Sequence, residues 1–304
     1  MSRNIPEISI LMPVYNGEAF VSEAVRSILD QTFRNVELIT VDDASTDGSL
    51  KILEDHSKKD ARIKLVKNKE NIGLTRSLIR AAAIAEGRYI ARQDADDISL
   101  PQRLERQLGF LEHNPSYGAV GTSALVIDKN GDVIRNANVP TTWFMTRQIL
   151  RFGNCFVHGS MMIRKDIYLQ ARGYREAFSV GQDFDLWLRI SGLAKLKNLE
   201  ERLYQWRETG GNISLMKTDV QFKTGALALY GHRYNKHLGP DKDFEIDHFI
   251  NGLSKVEKKK YDSCLRLLCL RHGNVATARK YLEDSLINRF LLTITGTAFK
   301  LLRP

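Results

Sequence analysis

The segment Gln93-Asp94-Ala95-Asp96-Asp97 decides how the rest of the chain is interpreted. It follows residues 89–91 (Tyr-Ile-Ala), whose aromatic and β-branched character predicts a short strand. Three carboxylates within four residues repel one another unless a cation or hydrogen-bond donors compensate. Hard divalent ions such as Mg²⁺ or Mn²⁺ would do so, since they prefer carboxylate and phosphate oxygens. The alternative is a solvated acidic turn ahead of a helix that begins near Pro101.

Outward from this segment, the first half of the chain alternates between strand-like and helix-like hydrophobic periods. Strands are predicted near residues 8–12, 36–41, 63–66 and 89–93, with helices between them near 20–29, 49–56 and 74–85. Strand–helix alternation with short loops predicts right-handed crossovers and a mostly parallel sheet with helices on both faces. In such α/β sheets, ligands bind beyond the carboxyl ends of the strands.

Those carboxyl ends carry the distinctive residues of the sequence, namely Pro13-Val14-Tyr15-Asn16, the run from Asp42 to Ser49, and Asp94-Ala95-Asp96. An aromatic ring can stack on a base, and a carboxylate can accept a hydrogen bond from a base N–H or a ribose hydroxyl. A cation held by Asp96 could bridge a diphosphate. Neither Gly-x-Gly-x-x-Gly nor Gly-x-x-x-x-Gly-Lys-Ser/Thr occurs, which excludes the usual dinucleotide and P-loop sites.

In order and spacing, these three motifs resemble the signatures of family 2 glycosyltransferases of the bacterial polysaccharide-biosynthesis type. The second motif reads Val-Asp-Asp-Ala-Ser-Thr-Asp-Gly-Ser over residues 41–49, and the third contains the Asp-x-Asp pattern. The resemblance implies the GT-A fold, a mostly parallel central sheet flanked by helices, and the use of nucleotide-diphospho sugars. It covers roughly the first 215 residues.

The resemblance also assigns roles to individual positions around the donor nucleotide. Pro13 and Tyr15 would line the base pocket, although Tyr15 could instead be an aromatic that packs in the turn. Asp43 would bond the base, Asp94 would lie near the ribose, and Asp96 would bind the Mn²⁺ or Mg²⁺ ion that neutralises the leaving diphosphate.

A second set of positions is expected on the phosphate and sugar side. Arg76 could reach a phosphate, or it could simply be solvated. His158 is expected within a strand over residues 158–164. It could bond the sugar or phosphate, or be a structural histidine. Thr209 stands where family members often have a histidine that approaches the metal. Asp96 is therefore the one assured protein ligand, and Arg207 becomes the better candidate for the phosphate side.

Asp183 is the candidate catalytic residue in the stretch Gly181-Gln182-Asp183-Phe184-Asp185-Leu186-Trp187-Leu188-Arg189. It falls in the first turn of a predicted helix, where the helix dipole stabilises an anion. By resemblance, Asp183 occupies the position of the aspartate that acts as general base in inverting family members. Gln182 stands before it where those members usually have a glutamate. Asp185 and Arg189 are four residues apart and are expected to pair with each other.

Composition separates a catalytic domain, residues 1–215, from a basic helical region, residues 216–304. The second region carries 16 Lys and Arg against 9 Asp and Glu, which is +7 of the chain's +9 charge. The three cysteines show no metal-ligand spacing and indicate a reduced, cytoplasmic protein. Neither a signal peptide nor an 18-residue apolar run is found.

The basic region suggests contact with the inner face of the plasma membrane. Residues 286–303 are apolar with cationic edges and would suit an amphipathic helix on an anionic surface. The alternative is a helical cap packed on the catalytic domain. Nucleic acid is not expected as a partner, since the run Lys258-Lys259-Lys260 has only Tyr261 as an interleaved aromatic.

The sequence therefore predicts metal-assisted, inverting transfer from a nucleotide-diphospho sugar, with a UDP-sugar as first expectation, to a hydroxyl of a glycan or lipid-linked acceptor. The alternative from another class is a nucleotide-sugar binding protein without turnover. Asp43, Asp96 and Asp183 favour the enzyme. A nucleotidyltransferase would normally have a glycine-rich phosphate loop after the first strand.

Overall fold

A computed structural model describes residues 5–209, 218–236 and 246–271 of the protein. Its first half consists of four strands alternating with three helices. These are β1 Ile8–Val14, α1 Val21–Leu29, β2 Val36–Asp42, α2 Ser49–Lys59, β3 Ile63–Lys67, α3 Leu74–Ala83 and β4 Tyr89–Arg92. β1 pairs in parallel with both β2 and β4, and β3 extends the sheet beside β2. The predicted parallel half is confirmed.

The second half is mixed. Its elements are β5 Ile98–Ser99, α4 Arg103–His113, β6 Tyr117–Ile127, β7 Val133–Ala137, α5 Trp143–Leu150, β8 Met162–Arg164, α6 Lys165–Gln170, α7 Gln182–Ser191 and β9 Lys195–Arg207. β8 joins the two halves by pairing antiparallel with β4 on one side and β6 on the other, and β9 runs parallel to β6. The β6–β7 hairpin turns at Gly131, whose φ is +93°.

The sheet curls, so its last strand returns toward the first helix. β5 pairs antiparallel with the end of β9. The backbone N–H of Ser99 in β5 also donates to Ser27 Oγ of α1 at 3.1 Å, and Gln31 Nε2 donates to the Leu100 carbonyl at 2.9 Å. The loop between β4 and β5, residues 93–97, therefore lies where the sheet bends back on itself.

Apolar side chains fill both faces of the sheet, as the alternation of residues along a strand requires. In β1, Ile8, Ile10 and Met12 pack with α1 and α4, whereas Leu11 belongs to the opposite core. That opposite core contains Trp187 of α7. The buried strands are thus covered by helices on both sides.

Within residues 218–236 and 246–271 the structure describes three further helices: α8 Thr218–Arg233, α9 Ile246–Asn251 and α10 Lys255–Arg271. Phe222, Leu227 and Leu265 from these helices share the core cluster that contains Trp187. The described part of the basic region thus packs on the sheet domain. Residues 286–303, for which a membrane-surface helix is expected, lie outside the described residues. Within the described ranges, no helix is both long and apolar enough to cross a membrane.

The strand expected over residues 158–164 is wrong in its first half. His158–Ser160 form a single 3-10 turn, and the strand is limited to Met162–Arg164. The His158 side chain faces inward instead, where its Nε2 lies 2.8 Å from the Tyr174 hydroxyl. Gly159 lies so close to Tyr204 that a side chain at this position would collide with the tyrosine. These two contacts fix a turn where the apolar pattern alone suggests a strand.

Candidate active site

The loops after β1 and β2 are held together by hydrogen bonds between their polar residues. Asn16 Oδ1 accepts from the Thr46 N–H at 2.8 Å, and Ser45 Oγ accepts from the Asn16 N–H at 3.1 Å. Asn16 and Ala44 both have positive φ values, +50° and +58°. Pro13 is buried in β1, whereas the Tyr15 side chain is 51% exposed beside these loops. Tyr15 is thus accessible to a base, as the predicted stacking role requires.

Asp43 is buried and engaged within the protein. Its Oδ1 accepts from Asn68 Nδ2 at 2.6 Å and from the Ile72 N–H at 2.9 Å, while its Oδ2 accepts from the Gly73 N–H at 2.8 Å. The carboxylate therefore fixes the loop that leads into α3. The neighbouring Asp42 could serve only to fix the loop. Its side chain makes one weak contact, with the Ser45 N–H at 3.3 Å. A base contact by Asp43 stays a prediction.

The loop after β4 gathers Asp94, Asp96 and Asp97 at the bend of the sheet. Asp94 Oδ1 accepts from Arg92 Nη2 at 2.5 Å, and Asp97 Oδ1 accepts from the Arg207 N–H at 2.8 Å. Burial raises the pKa of Asp96 to about 6, and the charge of Asp94 adds to the rise. Burial, with the charges of Asp96 and Asp94, raises the pKa of Asp97 well above its usual range. The loop thus holds more negative charge than its surroundings stabilise.

Arg207 is positioned to organise this loop. Its side chain is 2% exposed, and its Nε donates to the Asp96 carbonyl at 2.8 Å. Its Nη1 donates to the carbonyls of Asp128 and Lys129 in the β6–β7 turn, at 3.1 and 3.2 Å. Its Nη2 pairs with Glu23 of α1 at 2.6 Å. The guanidinium is thus buried among protein acceptors behind the acidic loop, whereas the sequence suggests a position beside a phosphate.

The acidic loop fits a divalent cation by its chemistry. Arg92 and Arg207 both lower the pKa of Asp96, yet burial and Asp94 outweigh them. A cation at Asp96, with Asp94 beside it, would remove that unfavourable charge. Across the part of the chain that the structure describes, no three His, Cys, Asp or Glu side chains cluster as a ready metal cage. A metal ion at this loop stays a prediction.

Asp183 lies in the first turn of α7, as predicted, two residues after Gly181, whose φ is +71°. Its Oδ2 accepts from Asn154 Nδ2 at 2.6 Å. Burial raises the pKa of Asp183, against the hydrogen bonds from the Phe184 N–H and Asn154 that lower it, and Asp94 contributes to the rise. Asp94 also lies beside Gly159, and the ring of the neighbouring His158 is 6.2 Å from that of Trp187 in α7. The loop after β4 is therefore near α7, and a shared site stays a prediction.

Asp185 faces away from this site and forms the predicted pair with Arg189. Arg189 Nη2 donates to Asp185 Oδ2 at 2.7 Å, and Arg175 Nε donates to the same oxygen at 3.0 Å. The predicted pairing is confirmed, and Arg175 is a second partner that the spacing did not indicate.

His158 and Arg76 are both engaged with other side chains. His158 bonds the Tyr174 hydroxyl, and burial, with the nearby Arg92, lowers the pKa of His158 well below its usual value. The imidazole is therefore neutral. Arg76 is half-exposed, and its Nε lies 3.3 Å from Glu176. These contacts agree with the alternatives that the sequence left open, a structural histidine at 158 and a solvated arginine at 76.

Sequence reasoning missed the buried partners of the acidic loop. Arg92 is buried next to Asp94, and Arg103 is fully buried, with its Nη1 donating to the carbonyls of Arg92 at 2.9 Å and Gly159 at 2.7 Å. Tyr204 is also buried, and its hydroxyl accepts from the Asp94 N–H at 3.2 Å. An arginine inside an otherwise apolar strand was the available signal, because a charge is buried only when it has a partner.

The chain matches the family model described as glycosyl transferase family 2 over residues 9–171. It is 42% identical over 212 residues to EpsE of Bacillus subtilis (strain 168), a protein named provisionally as a glycosyltransferase; the match covers 67% of this chain and 73% of EpsE. It is 35% identical over 209 residues to the O-antigen biosynthesis glycosyltransferase WbnJ of Escherichia coli, covering 67% of this chain and 81% of WbnJ.

Solved structures of low sequence identity share the fold. The structure of S. aureus TarS 1-349 in complex with UDP-GlcNAc aligns with a TM-score of 0.65 at 16% identity, covering 98% of this chain and 92% of that one. The mannosyltransferase PcManGT from Pyrobaculum calidifontis, in complex with GDP-Man and Mn²⁺, aligns with a TM-score of 0.54 at 18% identity, covering 97% and 81%. The curled α/β sheet is thus the GT-A fold, and the chain belongs to glycosyltransferase family 2, in the group of bacterial polysaccharide-biosynthesis enzymes.

Proposed function

We propose that this glycosyltransferase moves a sugar from a nucleotide-diphospho sugar, with UDP as the expected nucleotide, to a hydroxyl of a glycan or lipid-linked acceptor, with inversion at the anomeric carbon. One observation carries the proposal. Asp94 of the acidic loop lies beside Gly159, and the ring of the neighbouring His158 is 6.2 Å from that of Trp187 in α7, the helix whose first turn carries Asp183. A donor held at the loop would therefore present its sugar to Asp183.

The donor site is formed by the loops at the carboxyl ends of β1, β2 and β4. Tyr15 would stack on the base, with Pro13 behind it, and Asp94 would face the ribose. The two structural neighbours are described with UDP-GlcNAc and with GDP-Man, so the fold accommodates more than one nucleotide. This supports a nucleotide-sugar donor and leaves the base to experiment.

Asp96 would hold Mn²⁺ or Mg²⁺, and the bound ion would neutralise negative charge on the departing diphosphate. The raised pKa of Asp96, caused first by burial, supports this role because a buried carboxylate gains most from a nearby cation. Arg207 supports the loop from behind through the Asp96 carbonyl. A contact between Arg207 and a phosphate would require it to leave these internal acceptors.

The proposed chemistry is a single displacement. The acceptor hydroxyl oxygen attacks the anomeric carbon from the face opposite the diphosphate, while the bond from that carbon to the diphosphate oxygen breaks and its electron pair leaves with the diphosphate. The hydroxyl proton passes to the Asp183 carboxylate. A raised pKa suits this step, since a general base works best when its pKa is near the operating pH. Asn154 holds the carboxylate in orientation.

The basic region, residues 216–304, would bring this catalytic domain, residues 1–215, to a membrane-bound acceptor at the inner face of the plasma membrane. The +7 charge of that region supports this, because each Lys or Arg near an anionic leaflet contributes about 1 kcal/mol to binding. In the described part, Lys258 and Lys260 lie on α10, and their ammonium groups approach the rings of Tyr261 and Tyr234.

A panel of UDP-, GDP- and dTDP-sugars, assayed with and without Mn²⁺, tests the donor and the metal requirement. The Asp183→Asn variant tests the base: the turnover should fall about 10²–10⁴-fold while donor affinity is retained. The matched control is Asp132→Asn, which removes an exposed carboxylate in the β6–β7 turn. Normal turnover by Asp183→Asn would place the base elsewhere. A product whose anomeric configuration matches the donor would overturn the inverting mechanism.

A further inference from the structure

A second cleft lies on the far side of α7 from Asp183. It has a volume of about 520 Å³ and is lined by the turn after α6, by α7 and by α8. Asp185 lines this cleft, and it is two positions, or about 200° around the helix, from Asp183. The cleft and the proposed reaction site therefore use opposite faces of the same helix.

The cleft contains more positive than negative charge. Its charged lining residues are four cations, Arg172, Arg175, Arg189 and Lys236, and two anions, Glu176 and Asp185. Two of the guanidiniums, those of Arg175 and Arg189, share the single carboxylate of Asp185, which is 2% exposed, while their own side chains are 14% and 20% exposed. The carboxylate is thus covered, while both arginine side chains keep some exposure.

The remaining two cations lie on opposite walls. Arg172 is exposed in the turn after α6, and its φ is +62°. Lys236 follows α8 and pairs with Glu257 of α10 at 2.7 Å. The neighbouring Asn235, which also lines the cleft, has a φ of +49°. Left-handed conformations outside glycine carry strain and cluster at functional sites. Here they occur on both walls of one cleft.

The rest of the lining includes an apolar surface that a bare inorganic ion would not use, formed by Ile79, Leu188, Leu193 and Ala228. Guanidinium groups match the oxygens of phosphate groups through paired N–H donors, so Arg172, Arg175 and Arg189 suit a phosphate group. The volume falls within the usual range for small-ligand sites and exceeds what one phosphate needs.

We propose that this cleft is a second ligand site, separate from the donor site, that binds a phosphate or diphosphate ester whose organic part is partly apolar. The phosphate group lies against Arg172, Arg175 and Arg189, and the organic part lies against the apolar wall. Tyr174 lines the cleft and bonds His158 in the domain core, so the ligand contacts a residue that also packs beside the reaction site. The proposal goes beyond the glycosyl transfer reaction and does not depend on it.

The test uses the full chain in metal-free buffer with EDTA, so that no cation bridges the probe to the acidic loop. Inorganic pyrophosphate is titrated by calorimetry, and phosphatidylcholine vesicles doped with farnesyl diphosphate are tested for protein capture. The variant is Arg172→Gly, because glycine accommodates the positive φ at 172 without strain. The control, Arg106→Gln, removes the same charge from an exposed site on α4.

Pyrophosphate affinity should fall about tenfold or more for each cation removed at the cleft, and should be kept in the control. UDP affinity should be unchanged in both, which also shows that the variants are folded. Pyrophosphate binding without vesicle capture would identify a soluble phosphate ester as the ligand. Capture by the doped vesicles that is lost in the variant and kept in the control would identify a lipid diphosphate. Binding of neither probe, or equal pyrophosphate affinity in the variant and the control, would overturn the proposal.

Discussion

Replacing Asp96 by Asn should remove metal binding and, at neutral pH, stabilise the metal-free protein. Burial, then the charge of Asp94, raises the pKa of Asp96 from 3.8 to about 6. A tenfold change in proton affinity between the folded and unfolded states corresponds to about 1.4 kcal/mol, so the ionised carboxylate destabilises the folded state by at most about 3 kcal/mol. The figure is an upper limit because Asp96 is partly exposed and solvent screens its charge.

The sign of the pH dependence follows from the raised pKa. The folded state binds the proton more tightly than the unfolded chain, so this group's contribution to stability decreases as the pH rises from about 4 to about 6. Above about pH 6 the whole penalty is present, and below about pH 4 both states are protonated and the penalty is absent. The advantage of Asp96→Asn over the wild type should therefore be largest near neutral pH and vanish in acid.

The measurement is urea unfolding of the EDTA-treated proteins at about pH 4.5 and about pH 8, together with Mn²⁺ titration in the presence of UDP. The control is Asp132→Asn, which removes an exposed aspartate and should change neither quantity. Equal or lower stability of Asp96→Asn near pH 8, or the same stability difference at both pH values, would refute the electrostatic reasoning. Unchanged Mn²⁺ affinity would refute the metal assignment alone.

Three other outcomes follow from particular contacts. Asn154→Ala removes a hydrogen bond that lowers the pKa of Asp183, so the acid limb of the pH–rate profile should move to higher pH; an unmoved limb would separate Asp183 from the rate. Arg207→Met removes a buried cation with protein acceptors on three segments. It should lower the free energy of unfolding by about 3 kcal/mol in urea melts and weaken Mn²⁺ binding. If both quantities are unchanged, the guanidinium does not organise the loop. Deleting residues 286–304 should release the full chain from anionic vesicles at low salt and leave UDP binding intact; retention on the vesicles would assign membrane contact elsewhere.

The sequence was informative where structure depends on local pattern. The strand–helix alternation before Asp94, and the placement of Asp183 in the first turn of a helix, follow from hydrophobic periods and short loops, which are properties of neighbouring residues. The pairing of Asp185 with Arg189 likewise follows from helical spacing. The partners of the acidic loop could not be predicted this way. The Arg207 N–H reaches Asp97 across 110 positions, and nothing in local spacing specifies such a contact.

The same limit explains the error at His158. An apolar run with a β-branched residue predicts a strand, and a strand would have turned His158 toward a ligand. Its partner, Tyr174, is 16 positions away, and the neighbouring Gly159 is constrained by Tyr204, which is farther still. A residue's role at this site is therefore set by tertiary contacts, while its type and position in the motif set only what chemistry it can perform.

The contact between Glu23 and Arg207 also bears on the order in which the enzyme assembles during synthesis. These residues are separated by 184 positions, and their ion pair joins the first helix to the end of the ninth strand. A ribosome-bound chain has all the residues of the acidic loop long before it has Arg207, so the contacts of Asp96 and Asp97 with that arginine are the last of the loop's supports to form. Contacts of such long sequence separation form slowly, because the loop-closure entropy must be overcome first. We therefore expect nucleotide-sugar to bind the finished chain and to have little affinity for the nascent one.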